Sequence, residues 1–199
     1  MRVMILGDSI CYGDGVSRED SWVWLLSAAL AKSAPECVVR NSGVNGSTAR
    51  QGLQRLPGLL LQAPDLLYVQ FGLNDAWQGV QLESYGTTMR DIVFQALEGG
   101  TGAVILSTNH PVCATEDQQE HGGKRYREAV RLFNACLRDF FTPRPERVTM
   151  VDMERFFESF GGSERQAGLL QPDGVHLSAE GNAAYFRRLE PVFRAGLCL

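Results

Sequence analysis

The chain opens MRVMILGDSICYGDG (residues 1–15). A short apolar run, Val3 to Leu6, stops at Gly7-Asp8-Ser9. A run that is continuously apolar, rather than alternating, reads as a parallel strand covered on both faces. Similar runs recur at Cys37-Val38-Val39, Leu66 to Phe71, Gly102 to Leu106 and Val148 to Val151. Between them lie patterns of helical period. Trp22, Leu25, Leu26, Ala29 and Leu30 form one apolar stripe, with Ser21 placed to cap its start. Tyr85, Met89, Ile92, Val93, Ala96 and Leu97 form another, ending at Gly99-Gly100. A third helix is expected from Lys124 to Phe141, with Val130, Phe133, Leu137, Phe140 and Phe141 inward. The last is expected to begin near Ser178 and to bury Ala183, Phe186, Leu189 and Phe193. Strands alternating with helices imply right-handed crossovers, hence an α/β fold with a five-stranded parallel sheet between two helical layers.

At 199 residues the chain is expected to be one domain, 1–199, able to bury about 70% of its unfolded surface. Its net charge of −4 lacks the basic face of a nucleic-acid binder and the polybasic cluster of a membrane-surface protein. No stretch approaches the ~18 apolar residues of a membrane helix, and the N-terminus does not read as a signal peptide, so a cytoplasmic location is expected. The cysteines, Cys11, Cys37, Cys113, Cys136 and Cys198, are odd in number and widely spaced. They suggest neither a disulfide framework nor a metal site, and read as small buried or half-buried thiols.

In open parallel sheets, ligands sit beyond the carboxyl ends of the strands. Four such ends carry small or polar residues: Gly7-Asp8-Ser9, Asn41 to Gly46, Gly72 to Asp75 and Ser107 to His110. The longer polar stretch from Asn109 to Gly123 is expected to be a loop flanking the same rim. A serine after a strand most often only caps a helix, and Ser9 alone would carry little. However, the segment Gln171-Pro-Asp173-Gly-Val-His176 places an aspartate three residues before a histidine, with a glycine to ease the bend. That spacing can turn the carboxylate onto the imidazole Nδ1–H and leave the other ring nitrogen oriented outward. If Ser9 lies across the rim, the parts of a Ser-His-Asp triad are present, in the order serine, aspartate, histidine. Acyl transfer also needs donors for an oxyanion. The backbone N–H of Gly46, the side-chain amide of Asn74 and the N–H of Ser9 are candidates.

The blocks GDSI (7–10), NSGVNGST (41–48), FGLND (71–75) and DGVH (173–176) resemble the successive motifs of the SGNH, or GDSL, hydrolase family. The chain is especially similar to its bacterial thioesterase I/lysophospholipase L1-type members, in collinear order over nearly its whole length. The resemblance implies a flavodoxin-like three-layer sandwich. It also implies Ser9 as nucleophile, Asp173 and His176 as its partners, and Gly46 (in Gly46-Ser47-Thr48) and Asn74 as oxyanion donors. The chain departs from the family pattern at Ile10, where leucine is usual. The GxSxG elbow of other serine esterases is absent, because Cys11 stands where its second glycine would be. No cofactor and no metal are expected.

The function so indicated is cleavage of carboxylic esters or thioesters through an acyl-serine intermediate, with a small acyl ester or thioester as partner. Removal of acetyl groups from sugars by the same machinery is the alternative. A non-catalytic flavodoxin-like module is a weaker one, because the first turn lacks both GxxxxGK[ST] and GxGxxG. Asp8 and Asp75 read as structural supports of their turns. His110 reads as a locally bonded loop histidine, with a substrate-lining role the alternative, and His121 as solvated. At least one of Trp22 and Trp24 belongs to the core. Trp77 and Tyr12 are candidate walls of the substrate pocket.

Overall fold

The computed structural model describes residues 1–113, 120–121, 124–161 and 163–199. In chain order, β1 (Arg2–Gly7) leads into a short helix α1 (Ser9–Tyr12), then α2 (Trp22–Ser33) and β2 (Val38–Gly43). There follow α3 (Ala49–Leu60), β3 (Leu66–Gln70), α4 (Leu73–Trp77), α5 (Leu82–Glu98) and β4 (Ala103–Ser107). A two-residue pair, β5 (Glu120–His121) and β6 (Lys124–Arg125), precedes α6 (Tyr126–Phe140). The chain closes with β7 (Val148–Val151), α7 (Met153–Glu158), α8 (Ser163–Gly168) and α9 (Ala179–Leu197).

The main sheet has five strands in the order β2-β1-β3-β4-β7, all parallel. This is the flavodoxin-like order, with the switch between β1 and β3. Helices α2 and α9 pack together, while α3, α5 and α6 pack in sequence against one another. These two groups form the layers on either side of the sheet. The interior strands explain the apolar runs: Val3, Met4, Ile5 and Leu6 of β1, and every residue of β3, are buried. Each such aliphatic side chain contributes about 1.5–3 kcal/mol relative to exposure.

β2 differs from the expected doubly covered strand. It starts at Val38 and runs to Gly43, so Asn41 to Gly43 belong to the strand rather than to the following turn. It is an edge strand, paired only with β1, and this leaves Val38, Arg40 and Asn41 exposed. In α9 the buried positions are Ala184 and Tyr185 rather than Ala183 and Phe186, with Leu189 and Phe193 buried as expected. Tyr185, Leu189 and Phe193 fall at i, i+4 and i+8 on one face, and the Tyr185 hydroxyl finds partners in Gln70 and His110.

Two contacts aim the first turn. Gly7 has no side chain because a Cβ there would overlap the Cys11 sulfur, where α1 folds back over the end of β1. The buried Trp22 donates its indole N–H to the Ile10 carbonyl at 2.9 Å, while its backbone N–H is held by Asn182 Oδ1 at 3.0 Å. Its ring lies edge-on to Tyr68, which stacks on Phe193. One side chain therefore ties α1 to α2 and α9, and Trp24, its neighbour, is partly exposed. Among the described residues no helix is long and apolar enough to cross a membrane.

Candidate active site

The turn after β1 is built by Asp8. Its Oδ1 accepts the Ile10 N–H at 2.9 Å and so caps α1, which places Ser9 at the first helical position, buried. The loop before α9 approaches from the other end of the chain. There Asp173 Oδ1 accepts the N–H groups of Val175 (2.8 Å) and His176 (3.0 Å), which leaves Oδ2 to meet His176 Nδ1 at 2.6 Å. His176 Nε2 lies 2.9 Å from Ser9 Oγ. The carboxylate can only accept from Nδ1–H, so Nε2 is the acceptor for the serine hydroxyl. Burial opposes the charge on Asp173, but its hydrogen bonds from the His176 ring and the two backbone N–H groups outweigh this, and its pKa falls below the usual carboxylate value.

Gly46 and Asn74 border the same turn. Gly46 adopts φ +73°, a left-handed conformation that glycine takes without penalty. Its N–H finds no hydrogen-bond partner among the described residues. Asn74 donates one side-chain N–H to the Ser47 carbonyl at 3.1 Å. That bond fixes the amide plane, and an amide nitrogen carries a second N–H. Thr48 and Gln51 form a capping box at the start of α3, and both oxygens of the buried Asp75 face the Ala49 N–H at 3.1 Å. The loop carrying Gly46 is thus fastened to the turn carrying Asn74.

Two carboxylates stand in dry surroundings here. Burial, with the charge of Asp75 adding to it, lifts the Asp8 pKa to about 7. Burial likewise lifts Asp75 to about 6. Arg55 reaches beneath them, donating to Ser47 Oγ at 2.7 Å and to the Gly7 carbonyl at 3.1 Å.

Of the five sequence-predicted residues, Ser9, Asp173 and His176 are joined by hydrogen bonds, while Gly46 and Asn74 stand on the turns after β2 and β3, the strands that flank β1. Other expectations turn out differently. His110 is fully buried rather than open to the rim. Its Nε2 meets the Val175 carbonyl at 2.8 Å and its Nδ1 the Tyr185 hydroxyl at 2.7 Å. Burial lowers its pKa to about 4. Residues 109–112 are buried as well, and much of the remaining loop to Gly123, with the side chain of His121, lies outside the described residues. Trp77 is partly exposed and packs edge-on against Tyr126. Tyr12 lines a cleft of about 610 Å³ together with Val16, Trp24 and Val39, on the outer side of the turn, and neither Ser9 nor His176 lines it. Cys11 and Cys37 are buried, Cys113 and Cys136 half-buried, and Cys198 exposed, contrary to expectation.

Sequence reasoning also missed Asp14, Asn45 and Gln171. Asp14 Oδ2 lies 3.6 Å from His176 Nε2. Asn45 donates to Asp14 Oδ1 at 2.7 Å, and Gln171 donates to its backbone carbonyl at 2.7 Å. No spacing rule announces them, since the contacts join three loops. Among the described residues there is no group of three or more His, Cys, Asp or Glu able to hold a metal ion.

Comparison with known proteins agrees with this fold. The family model described as GDSL-like Lipase/Acylhydrolase matches residues 5–184. Esterase TesA of Pseudomonas aeruginosa is 29% identical over 96% of this chain and 85% of its own length. Thioesterase 1/protease 1/lysophospholipase L1 of Escherichia coli K12 is 31% identical over 71% of this chain and 64% of that protein. A crystal structure of TesA superposes with a TM-score of 0.74 at 25% identity, covering 98% of this chain and 99% of that one. The esterase EstA from Pseudoalteromonas, at 20% identity and a TM-score of 0.76 over 100% and 99% of the two chains, shares the fold. On the sheet order and the extent of the family match, this chain is an acyl hydrolase that belongs to the GDSL-like lipase/acylhydrolase family.

Proposed function

We propose that residues 1–199 act as one catalytic unit that hydrolyses carboxylic esters or thioesters of small acyl groups through an acyl-Ser9 intermediate. The observation that carries the reading is the unbroken chain from Ser9 Oγ to His176 Nε2 and from His176 Nδ1 to Asp173 Oδ2, at 2.9 and 2.6 Å.

In this reading Ser9 Oγ attacks the acyl carbon as its proton passes to Nε2. Asp173 holds the ring and stabilises the imidazolium that forms. Negative charge develops on the former carbonyl oxygen, where the Gly46 N–H, the second N–H of Asn74 and the Ser9 N–H supply donors. The intermediate collapses, the bond to the leaving oxygen or sulfur breaks, and that atom takes the proton from Nε2. Water then attacks the acyl-enzyme, giving its proton to Nε2. Collapse returns that proton to Ser9 Oγ and releases the carboxylic acid. The names of the relatives, esterase and thioesterase, support this substrate class.

The test is labelling with a fluorophosphonate. Covalent mass on Ser9, lost in His176→Ala, together with loss of p-nitrophenyl acetate and butyrate hydrolysis in a folded Ser9→Ala variant, is the expected result. Turnover of those esters by Ser9→Ala at the unaltered enzyme's rate overturns the assignment.

A further inference from the structure

His176 Nε2 faces two oxygens, the Ser9 hydroxyl that donates to it and a carboxylate oxygen of Asp14. Ser9 Oγ lies at 2.9 Å and Asp14 Oδ2 at 3.6 Å. The position of Asp14 is fixed from three sides. Its backbone N–H donates to the Ser9 carbonyl at 3.1 Å. Gln171, from the loop that carries Asp173, holds its carbonyl, and Asn45, the neighbour of Gly46, holds Oδ1. The second oxygen, Oδ2, is left to face the imidazole, and the side chain is 38% exposed. Asp14 is thus tied to three of the loops that build the site, and its carboxylate, with one oxygen turned onto the Nε2 edge, is placed to meet the substrate.

Resting on the acyl-Ser9 reading, we infer that Asp14 is a specificity-determining residue that binds a hydroxyl on the leaving group, so that the favoured substrates are esters of polyols. The chemistry follows from where the proton goes. Nε2–H is handed to the leaving oxygen, so that oxygen must sit within hydrogen-bond reach of Nε2. Asp14 Oδ2 therefore borders the first atoms beyond it. A hydroxyl on the carbon next to the ester carbon, as in glycerol or a sugar, can donate to Oδ2 while the ester oxygen stays on Nε2. A leaving group with an anion at that position meets a like charge. A plain alkyl group leaves Oδ2 to water. A hydrogen bond to a charged acceptor discriminates more strongly than the loss or gain of a methylene.

The test compares kcat/KM for three butyrate esters that share one acyl group: ethyl butyrate, glyceryl monobutyrate and carboxymethyl butyrate. Acylation, which kcat/KM reports, includes the leaving group, whereas the butyryl-enzyme is common to all three. On the unaltered enzyme the glyceryl ester is expected to exceed the ethyl ester, and the carboxymethyl ester to fall below it. In Asp14→Asn the glyceryl-to-ethyl ratio is expected to fall about tenfold, and the carboxymethyl-to-ethyl ratio to rise several-fold. A purely structural role for Asp14 would lower all three together and leave both ratios unchanged. Ratios near unity on the unaltered enzyme, or ratios that Asp14→Asn leaves within twofold, overturn the inference. If those ratios do not move while hydrolysis still requires Ser9, only the role of Asp14 fails. If Ser9→Ala hydrolyses the esters, the acyl-Ser9 reading falls and takes this one with it.

Discussion

His110 Nε2 lies 2.8 Å from the carbonyl of Val175, the residue just before His176. A carbonyl can only accept, so Nε2 carries the proton and Nδ1 accepts from the Tyr185 hydroxyl at 2.7 Å. Tyr185 in turn accepts from Gln70 Nε2 at 3.1 Å, and Gln70 Oε1 accepts from Tyr68 at 3.0 Å. A neutral histidine at the end of β4 therefore joins the loop of Asp173 and His176 to the middle of the sheet.

Replacing that histidine should loosen the loop. His110→Ala leaves the Val175 carbonyl and the Tyr185 hydroxyl without a partner and opens a ring-sized cavity, at a cost of roughly 3–5 kcal/mol. His110→Gln can still donate to one and accept from the other. The expected outcome is a fall in kcat exceeding any change in KM for Ala, with partial recovery in Gln, measured at a temperature where both variants are folded. Equal kcat in Ala and the unaltered enzyme would reject the coupling.

The same residue makes stability sensitive to acid. Burial holds the folded His110 pKa at about 4, below its ordinary 6.5. Between those values the unfolded chain binds the extra proton, so the contribution present above pH 6.5 is lost as pH falls toward 4. Urea unfolding at pH 7 and pH 4.5 should show a larger loss for the unaltered protein than for His110→Gln. An equal loss in both would contradict it.

Asp8 works in the opposite direction. Its folded pKa, raised by burial to about 7, stands above the unfolded 3.8. Here the folded state holds the proton, so stability declines as pH climbs from about 4 through 7. Asp8→Asn mimics the protonated acid and retains an acceptor for the Ile10 N–H. The Tm difference between unaltered protein and variant should move against the unaltered protein from pH 5 to pH 8.5. A difference independent of pH would refute the buried, proton-holding Asp8.

Asn74→Ala should lower kcat about 100- to 1000-fold if its free N–H meets the oxyanion. It also removes the bond to the Ser47 carbonyl, so Asn74→Asp is the informative companion. The carboxylate is isosteric but offers no N–H there, and should be at least as impaired. Near-normal kcat in either variant would remove Asn74 from the site.

Trp22→Phe removes the donor to the Ile10 carbonyl without emptying the site. A loss of about 2 kcal/mol is expected, from a buried carbonyl left unsatisfied and a small void. Chemical denaturation measures it, and a change under 0.5 kcal/mol would show that the indole N–H does not hold α1.

The central strands and amphipathic helices were readable because their burial is set by local pattern: β1, β3 and β4 carry the unbroken apolar runs Val3 to Leu6, Leu66 to Val69 and Ala103 to Leu106, and α5 shows its stripe at helical spacing. The region of α3 was harder to read. ARQGLQRLPGLL contains two glycines and a proline, poor helix formers. The helix exists because Thr48 and Gln51 cap it and because Gly52 lets it lie against the Phe71 ring, which a Cβ would strike. Ser9, Asp173 and His176 were legible through residue type and spacing. The burial of His110 and the approach of Asp14 to His176 were not, since each depends on how loops distant in sequence are tied together.

The serine of the first turn and the histidine that faces it are separated by 167 positions, and β4 and β7 are laid down in between. If Ser9 is the nucleophile proposed above, a growing or prematurely terminated chain carries the hydroxyl without the imidazole and has no base to activate it toward esters. Reactivity toward a fluorophosphonate would therefore report completed folding of the whole polypeptide, and not merely the presence of its opening motif.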